Sequence, residues 1–306
     1  LRSEKFYTEV LGWSNKVWDL GAVTTGGVPK LRNSDPNDNS VATETYYVQD
    51  GSELVADMTA NPYARFILTA DIDLTGLSTI GSEFVGELDG NGHKITGSTA
   101  PIFSSIKQAT VKNLILERST VQLAQDDVGV LAMTSGGSTI DNVHLMNAEI
   151  VNGGNRVGGM VGSDDGSTFS RCSSHVSITA TGDEIGGLAG RIRNTTIENC
   201  YTKGTVSGNT KVGGLTGTAA DARIKYCYSA SSVSGTGATA GFIGQTTGTS
   251  ELQNNIALGN QSRQYKFDGA TAADASGGYQ NNFEYEENRG IPATDRTDVN
   301  LTGKIE

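Results

Sequence analysis

The feature that most limits how this chain can fold is a glycine-centred hexad that returns at a near-constant interval. Val157-Gly-Gly-Met-Val-Gly162, Ile185-Gly-Gly-Leu-Ala-Gly190 and Val212-Gly-Gly-Leu-Thr-Gly217 share one pattern. Degenerate copies flank them at Val128-Gly-Val-Leu-Ala-Met133 and Thr239-Ala-Gly-Phe-Ile-Gly244, and successive starts lie 29, 28, 27 and 27 residues apart. Such a period marks one supersecondary unit stacked on itself, because a single unit cannot cover its own apolar face. Other columns keep the register. Fifteen residues after the hexad starts come Val143, Cys172, Cys200 and Cys227, and alignment adds Leu114 upstream and Asn255 downstream. Three residues before these stand Val111, Ile140, Phe169, Ile197, Ile224 and Leu252, and after them Val121, Ile150, Ile178, Val206 and Val233.

Each copy thus holds three short β-prone stretches separated by Gly, Asn, Ser and Asp. Helical repeats do not fit, since apolar and small polar residues alternate, as in Cys227-Tyr-Ser-Ala-Ser-Ser-Val233. A glycine pair in every unit would also cost a helix about 1 kcal/mol per Gly. The expected fold is all-β: a right-handed parallel β-helix with rungs of 27–29 residues. Strands stacked ~4.8 Å apart give a rod of roughly 25–40 Å. Gly158, Gly159, Gly186, Gly187, Gly213 and Gly214 are read as structural, at places that need positive φ or a missing Cβ. Cys172, Cys200 and Cys227 are expected to stack as a ladder of buried free thiols, with a Cys200–Cys227 disulfide as the alternative.

Composition narrows the function. The 306 residues carry 23 basic and 34 acidic side chains, a formal charge of −11, which argues against a nucleic-acid partner. Forty glycines stand with only five prolines, so the glycines serve ordered backbone rather than a disordered tract. No apolar run reaches the ~18 residues that a membrane-spanning helix needs, so membrane insertion is not expected. No basic-then-apolar leader opens the chain, so any signal peptide is expected outside it. Three cysteines do not make a disulfide scaffold.

Outside the repeats, Gly51-Ser-Glu-Leu-Val-Ala-Asp-Met58 reads as a short amphipathic helix with Leu54, Val55 and Met58 on one side, ended by Asn61-Pro62. Arg65–Leu74 alternates like a strand pair, and Phe84–Ile95 reads as strand, turn, strand. Residues 44–106 are therefore expected to form a helical cap and the first rungs, 107–262 the repeat proper, and 263–306 a C-terminal capping extension. Residues 34–43 read as a polar linker.

The hexads are similar to the GLUG motif of bacterial surface proteins. The chain around them resembles the non-catalytic N-terminal region of the Gram-positive zinc metalloproteases that include the immunoglobulin A proteases. The likeness rests on Leu54-Val-Ala-Asp-Met58, Phe66-Ile-Leu-Thr-Ala-Asp-Ile-Asp-Leu74, Gly86-Glu-Leu-Asp-Gly-Asn-Gly-His93, the hexads, and Phe6-Tyr-Thr-Glu-Val-Leu-Gly-Trp13 with Val17-Trp-Asp-Leu20. In that family the Leu-Gly-Trp block closes a GLUG region, so residues 1–33 are read as the tail of a preceding unit. The resemblance implies a scaffold and host-protein-binding role in an extracellular, secreted or cell-wall-attached virulence protein. Its partners would be its own catalytic domain and a host protein such as immunoglobulin A. An adhesin module without protease activity is the alternative, and a polysaccharide-cleaving β-helix a lesser one.

Chemistry is sparse. A zinc protease of this family needs His-Glu-x-x-His on a helix, and His93, His144 and His175 fit no such spacing. No cofactor is expected in this segment, and zinc is expected in the catalytic domain of the parent chain. Asp126-Asp127, Asp164-Asp165 and Arg223-Ile-Lys225 bear a likeness to glycosidase clusters, but both Asp pairs are read as turn residues. Asp35, Asn37 and Asn39 match the first positions of a calcium loop whose sixth and twelfth positions fail, and Asp71 and Asp73 read as the outward face of a strand. Tyr201, Tyr226 and Tyr228, beside the cysteine column, are the candidate binding residues.

Overall fold

The computed structural model describes residues 44–258. Beyond them it gives only the backbone pairing of Trp18–Asp19 with Lys30–Leu31, and of Tyr279–Gln280 and Phe283–Tyr285 with the last rung. The described chain is a β-solenoid of about six turns with about 28 residues per turn. The hexads set the register. Val128 pairs with Val157, Val157 with Ile185, Ile185 with Val212 and Val212 with Thr239, all in parallel. The repeat read from the sequence is therefore the rung of the structure.

Three strand stacks form the walls. The first two hexad residues build a narrow four-stranded ladder, 157–158, 185–186, 212–213 and 239–240. The residues that follow build a seven-stranded parallel sheet from Ile80–Phe84 through Ala189–Arg193 to Ile243–Thr247. The rest of each rung bends into two limbs, such as Thr196–Glu198 and Tyr201–Ser207. Side chains that alternate inward fill the interior. The column Val111, Ile140, Phe169, Ile197, Ile224 and Leu252 is wholly buried, as are Val121, Ile150 and Ile178 in the next.

The walls meet at corners where the chain takes positive φ, and these are mostly not glycine. Asn113, Asn142, Arg171, Asn199, Tyr226 and Asn254 form one such column, with φ between 51° and 56°. Asn suits it because its short polar side chain tolerates the left-handed region. A second column precedes the hexads: Asp127, Arg156, Glu184 and Lys211. Its signs alternate, and Arg156 reaches Asp127 at 2.6 Å while Lys211 reaches Glu184 at 3.4 Å. The hexad glycines have a different cause. They lie at ordinary φ and are required by close approach: a Cβ on Gly187 would stand 2.2 Å from the Gly214 carbonyl oxygen. One of the two reasons given for them in the sequence, positive φ, is thereby corrected.

The helix spans Gly51–Ala60 and crosses between the parallel strands Thr45–Val48 and Arg65–Leu68. Asp50 caps it by accepting from the Glu53 amide, and the Glu53 carboxylate accepts from the Gln49 amide. Leu54 and Met58 are fully buried and Val55 only half-buried. Phe66, Phe84 and Phe103 continue the core below it, with ring centroids 6.1 and 5.1 Å apart.

Candidate binding face

The three histidines do not converge. His93 Nδ1 lies 3.4 Å from Asp71 in an exposed turn. His144 is held between Asn142 Oδ1 at 3.0 Å and Ser173 Oγ at 2.8 Å, and burial lowers its pKa. Neutral imidazole suits that position, one nitrogen donating and the other accepting. His175 sits in another strand, beside Lys203. Among the described residues no three His, Cys, Asp or Glu side chains are placed to hold a metal ion. The described residues therefore offer no zinc centre. Asp35, Asn37 and Asn39 lie outside the described residues.

The carboxylate pairs are occupied. Arg156 spans Asp126 and Asp127, and Asp126 also accepts from the Asn155 amide at 2.8 Å. Asp73 closes its own turn on Thr75, and Arg223 pairs with Glu251 at 2.8 Å. Asp164-Asp165 is not a turn pair, contrary to the sequence reading. Both end the strand Val161–Asp165, so they point to opposite sides of it. Asp165 faces out and pairs with Arg193. Asp164 faces in, 3% exposed, accepting from Ser135 Oγ, from the Ser167 amide at 3.2 Å and from Thr195 Oγ1 at 2.5 Å.

Burial pushes the Asp164 carboxyl above the usual range, against those hydrogen bonds. A raised folded-state pKa means the folded chain holds this proton more tightly than the unfolded chain. The associated stability is complete below the unfolded value near ~3.9 and is lost as pH rises through the raised one. Asp164→Asn keeps the shape without the charge. Its melting temperature is expected to exceed the wild type's at neutral pH, with the gap closing on acidification. A gap that widens as pH falls contradicts this account.

The cysteine column is buried, and its thiols are free. It is also a hydrogen-bond ladder. The Cys172 amide donates to Cys200 Sγ at 3.3 Å, and the Cys200 amide to Cys227 Sγ at 3.4 Å. Asn255 continues it, its Oδ1 accepting from the Cys227 amide at 2.9 Å. Burial raises the Cys172 and Cys200 pKa values, which keeps both thiols unreactive. Outside this column, Tyr201 and Tyr228 stack with centroids 4.9 Å apart and planes 4° from parallel. Tyr226, 56% exposed, stands at the Asn corner beside them. The three tyrosines make a small aromatic patch on one limb of the rod.

The sequence reading passed over the seven-stranded face. There, Ser163, Arg191, Thr218 and Gln245 lie side by side in register. They line a cleft of about 380 Å³ that also holds Arg193, Lys211 and Glu184. The signal was available, since each stands six residues after its hexad start.

By fold, then, the described residues are a repeat protein of the parallel β-solenoid class. Residues 37–146 match the family model of the M26 IgA1-specific metallo-endopeptidase N-terminal region, and residues 181–207 match the GLUG motif. The resemblance read from the sequence is borne out. The immunoglobulin A1 protease of Streptococcus sanguinis is 28% identical over 183 residues, 56% of this chain and 9% of that protein. The chain thus spans less than a tenth of that relative. Two solved structures share the fold at 19% identity. One, a candidate immunoglobulin A1 protease from Bacteroides ovatus, superposes with a TM-score of 0.56 over 79% of this chain and 84% of that one. The other, an IgA1 protease, gives 0.61 over 86% of this chain and 23% of that one. Among the described residues no helix is long and apolar enough to cross a membrane.

Proposed function

We propose that this chain is the non-catalytic rod of a secreted zinc metallo-endopeptidase of the immunoglobulin A protease type. It holds the catalytic domain of the parent chain at a fixed distance from a host glycoprotein such as immunoglobulin A, and contributes to gripping it. The match of residues 37–146 to the N-terminal region of that family carries this reading. The physics of the rod supports it: strands locked in register from rung to rung make a stiff spacer, and solenoid faces suit extended partners. The tyrosine patch gives that grip an anchor, since exposed aromatics supply contact area at low entropic cost.

The test is binding of the isolated chain to immobilised human immunoglobulin A1, alongside gel analysis of the antibody after incubation. Binding without cleavage is the expected result. Tyr201→Ser, Tyr226→Asn and Tyr228→Ser together put in residues the same columns already hold at Ser173 and Asn199. That triple variant should bind at least ~tenfold more weakly, a loss of about 1.4 kcal/mol, with an unchanged thermal melt. Undiminished binding removes the tyrosines from the interface. No binding reduces the role to that of a spacer, and a parent chain without His-Glu-x-x-His leaves the adhesin reading.

A further inference from the structure

We infer that the cleft on the seven-stranded face is a binding site for a carboxylate-bearing sugar, with the Arg191 guanidinium as the carboxylate anchor. The site follows from which groups are spent and which are not. Arg193 is paired with Asp165, and Lys211 with Glu184, whose carboxylate also accepts from Thr218 Oγ1 at 3.2 Å. Asp164 points into the rod. The Arg191 side chain, in the middle of the row, is exposed and makes no hydrogen bond or close ion pair among the described residues, its charge reaching Asp165 only at longer range. Ser163 and Gln245, half-buried at the two ends of the row, are likewise unspent.

A guanidinium offers a planar fork that matches a carboxylate through two parallel hydrogen bonds. On either side of that fork the cleft offers hydroxyl and amide groups rather than further free charge. The row from Ser163 to Gln245 crosses three inter-strand spacings, roughly 14 Å, and is held flat by the sheet. One anionic group flanked by neutral hydroxyls is the complementary ligand. An acidic peptide fits less well. The chain carries −11 overall, and Asp165 and Glu184 stand at the rim, so a second and third negative charge would be repelled. Ala220 is the only apolar side chain among the described residues lining the cleft, which leaves nothing for peptide side chains to fill. This reading does not depend on the parent chain being a protease.

Saturation-transfer NMR on the whole chain tests it, with N-acetylneuraminate and glucuronate as probes at millimolar concentration. N-acetylglucosamine and glucose serve as neutral counterparts, and hexaglutamate as the acidic peptide. Transfer to an acidic sugar but not to the neutral ones is expected. Arg191→Gln should weaken binding by at least ~tenfold, and Arg191→Lys, which keeps the charge but loses the fork, by less. Arg223→Gln, on another wall, should leave it unchanged, and all variants should melt like the wild type. The inference is overturned if neither acidic sugar shows transfer, if the neutral sugars bind equally, or if Arg191→Gln binds like wild type. It is also overturned if hexaglutamate displaces the sugar and binds more tightly.

Discussion

Gly186→Ala is expected to unfold the rung that contains it, although it adds a single methyl group. A Cβ at Gly186 would lie 2.1 Å from the Ala189 carbonyl oxygen and 2.5 Å from the Thr216 Cα. Both are backbone atoms, one across the hexad turn and the other in the next rung, so no side-chain rotation relieves the clash. Overpacked cores ordinarily lose about 1–3 kcal/mol because side chains can shift. Here the walls themselves must separate, and a loss above ~3 kcal/mol is expected, beyond the ordinary ~0.5–3 kcal/mol of single substitutions. For a solenoid unit of about 215 residues, the span 44–258, that is a drop of roughly 6–12 °C in melting temperature. Gly153→Ala is the matched control. Its nearest neighbours, both atoms of Ala124, are at 3.6 and 3.7 Å, and its φ is not positive. That variant should melt at or slightly above wild type, since alanine narrows the unfolded ensemble. Equal melting of the two variants would sink the close-approach account of the hexad.

These two glycines also show how far the sequence can be read. Periodicity exposes the rung length, and the aligned columns expose the core, because parallel stacking forces every inward position to repeat in kind. Phe169, Ile197 and Ile224 are legible for that reason, and so is the helix over Leu54 and Met58. Which of two physical needs a glycine meets is not legible. Positive φ and a missing Cβ select the same residue, and only coordinates show that the left-handed corners went to Asn142, Asn199 and Tyr226 instead.

The surface was harder to read than the core, for a related reason. Asp164-Asp165 looks like a turn when taken as a dipeptide. Taken as columns, Asp164 stands level with Ile192 and Ala219, and Asp165 with Arg193. The alternation of a strand then sends the first inward and the second outward. The Arg191 row was open to the same treatment. Ser163, Thr218 and Gln245 carry no motif of their own, and their meaning lies in standing beside an unpaired guanidinium. Which polar groups are already spent on one another is a property of the folded surface. Sequence alone does not reveal that Arg193 takes the close ion pair with Asp165 while Arg191 feels that carboxylate only at longer range.

Phe84→Ala is expected to detach the N-terminal cap while leaving the hexad rungs folded. Phe84 is fully buried, stacked on Phe103 and tilted against Phe66, in the first strand of the seven-stranded sheet. Deleting its ring removes about 3–5 kcal/mol of burial and leaves a cavity, with a further ~0.5–1.5 kcal/mol for each lost ring pair. In a solenoid each rung touches only its neighbours, so the damage stays near where it is made. Among the described residues the cap has a neighbouring rung on one side only. The helix over Gly51–Ala60 and the strand Thr45–Val48 depend on the layer that Phe84 anchors. Hydrogen exchange should accelerate at Thr45–Val48 and Arg65–Leu68, with protection retained at Ala189–Arg193 and Thr216–Ala220. Losing the cap bares the edge of the strand Glu87–Asp89, which Arg65–Leu68 otherwise covers, and an open parallel edge is a template for another chain. Concentration-dependent self-association in size-exclusion chromatography should therefore accompany the exchange. Phe169→Ala, in the middle of the stack with rungs on both sides, should cost as much in stability without that association. If Phe84→Ala raises exchange evenly from end to end, the rungs are not the independent units that the repeat implies, and the cap is not a separate guard on the end of the rod.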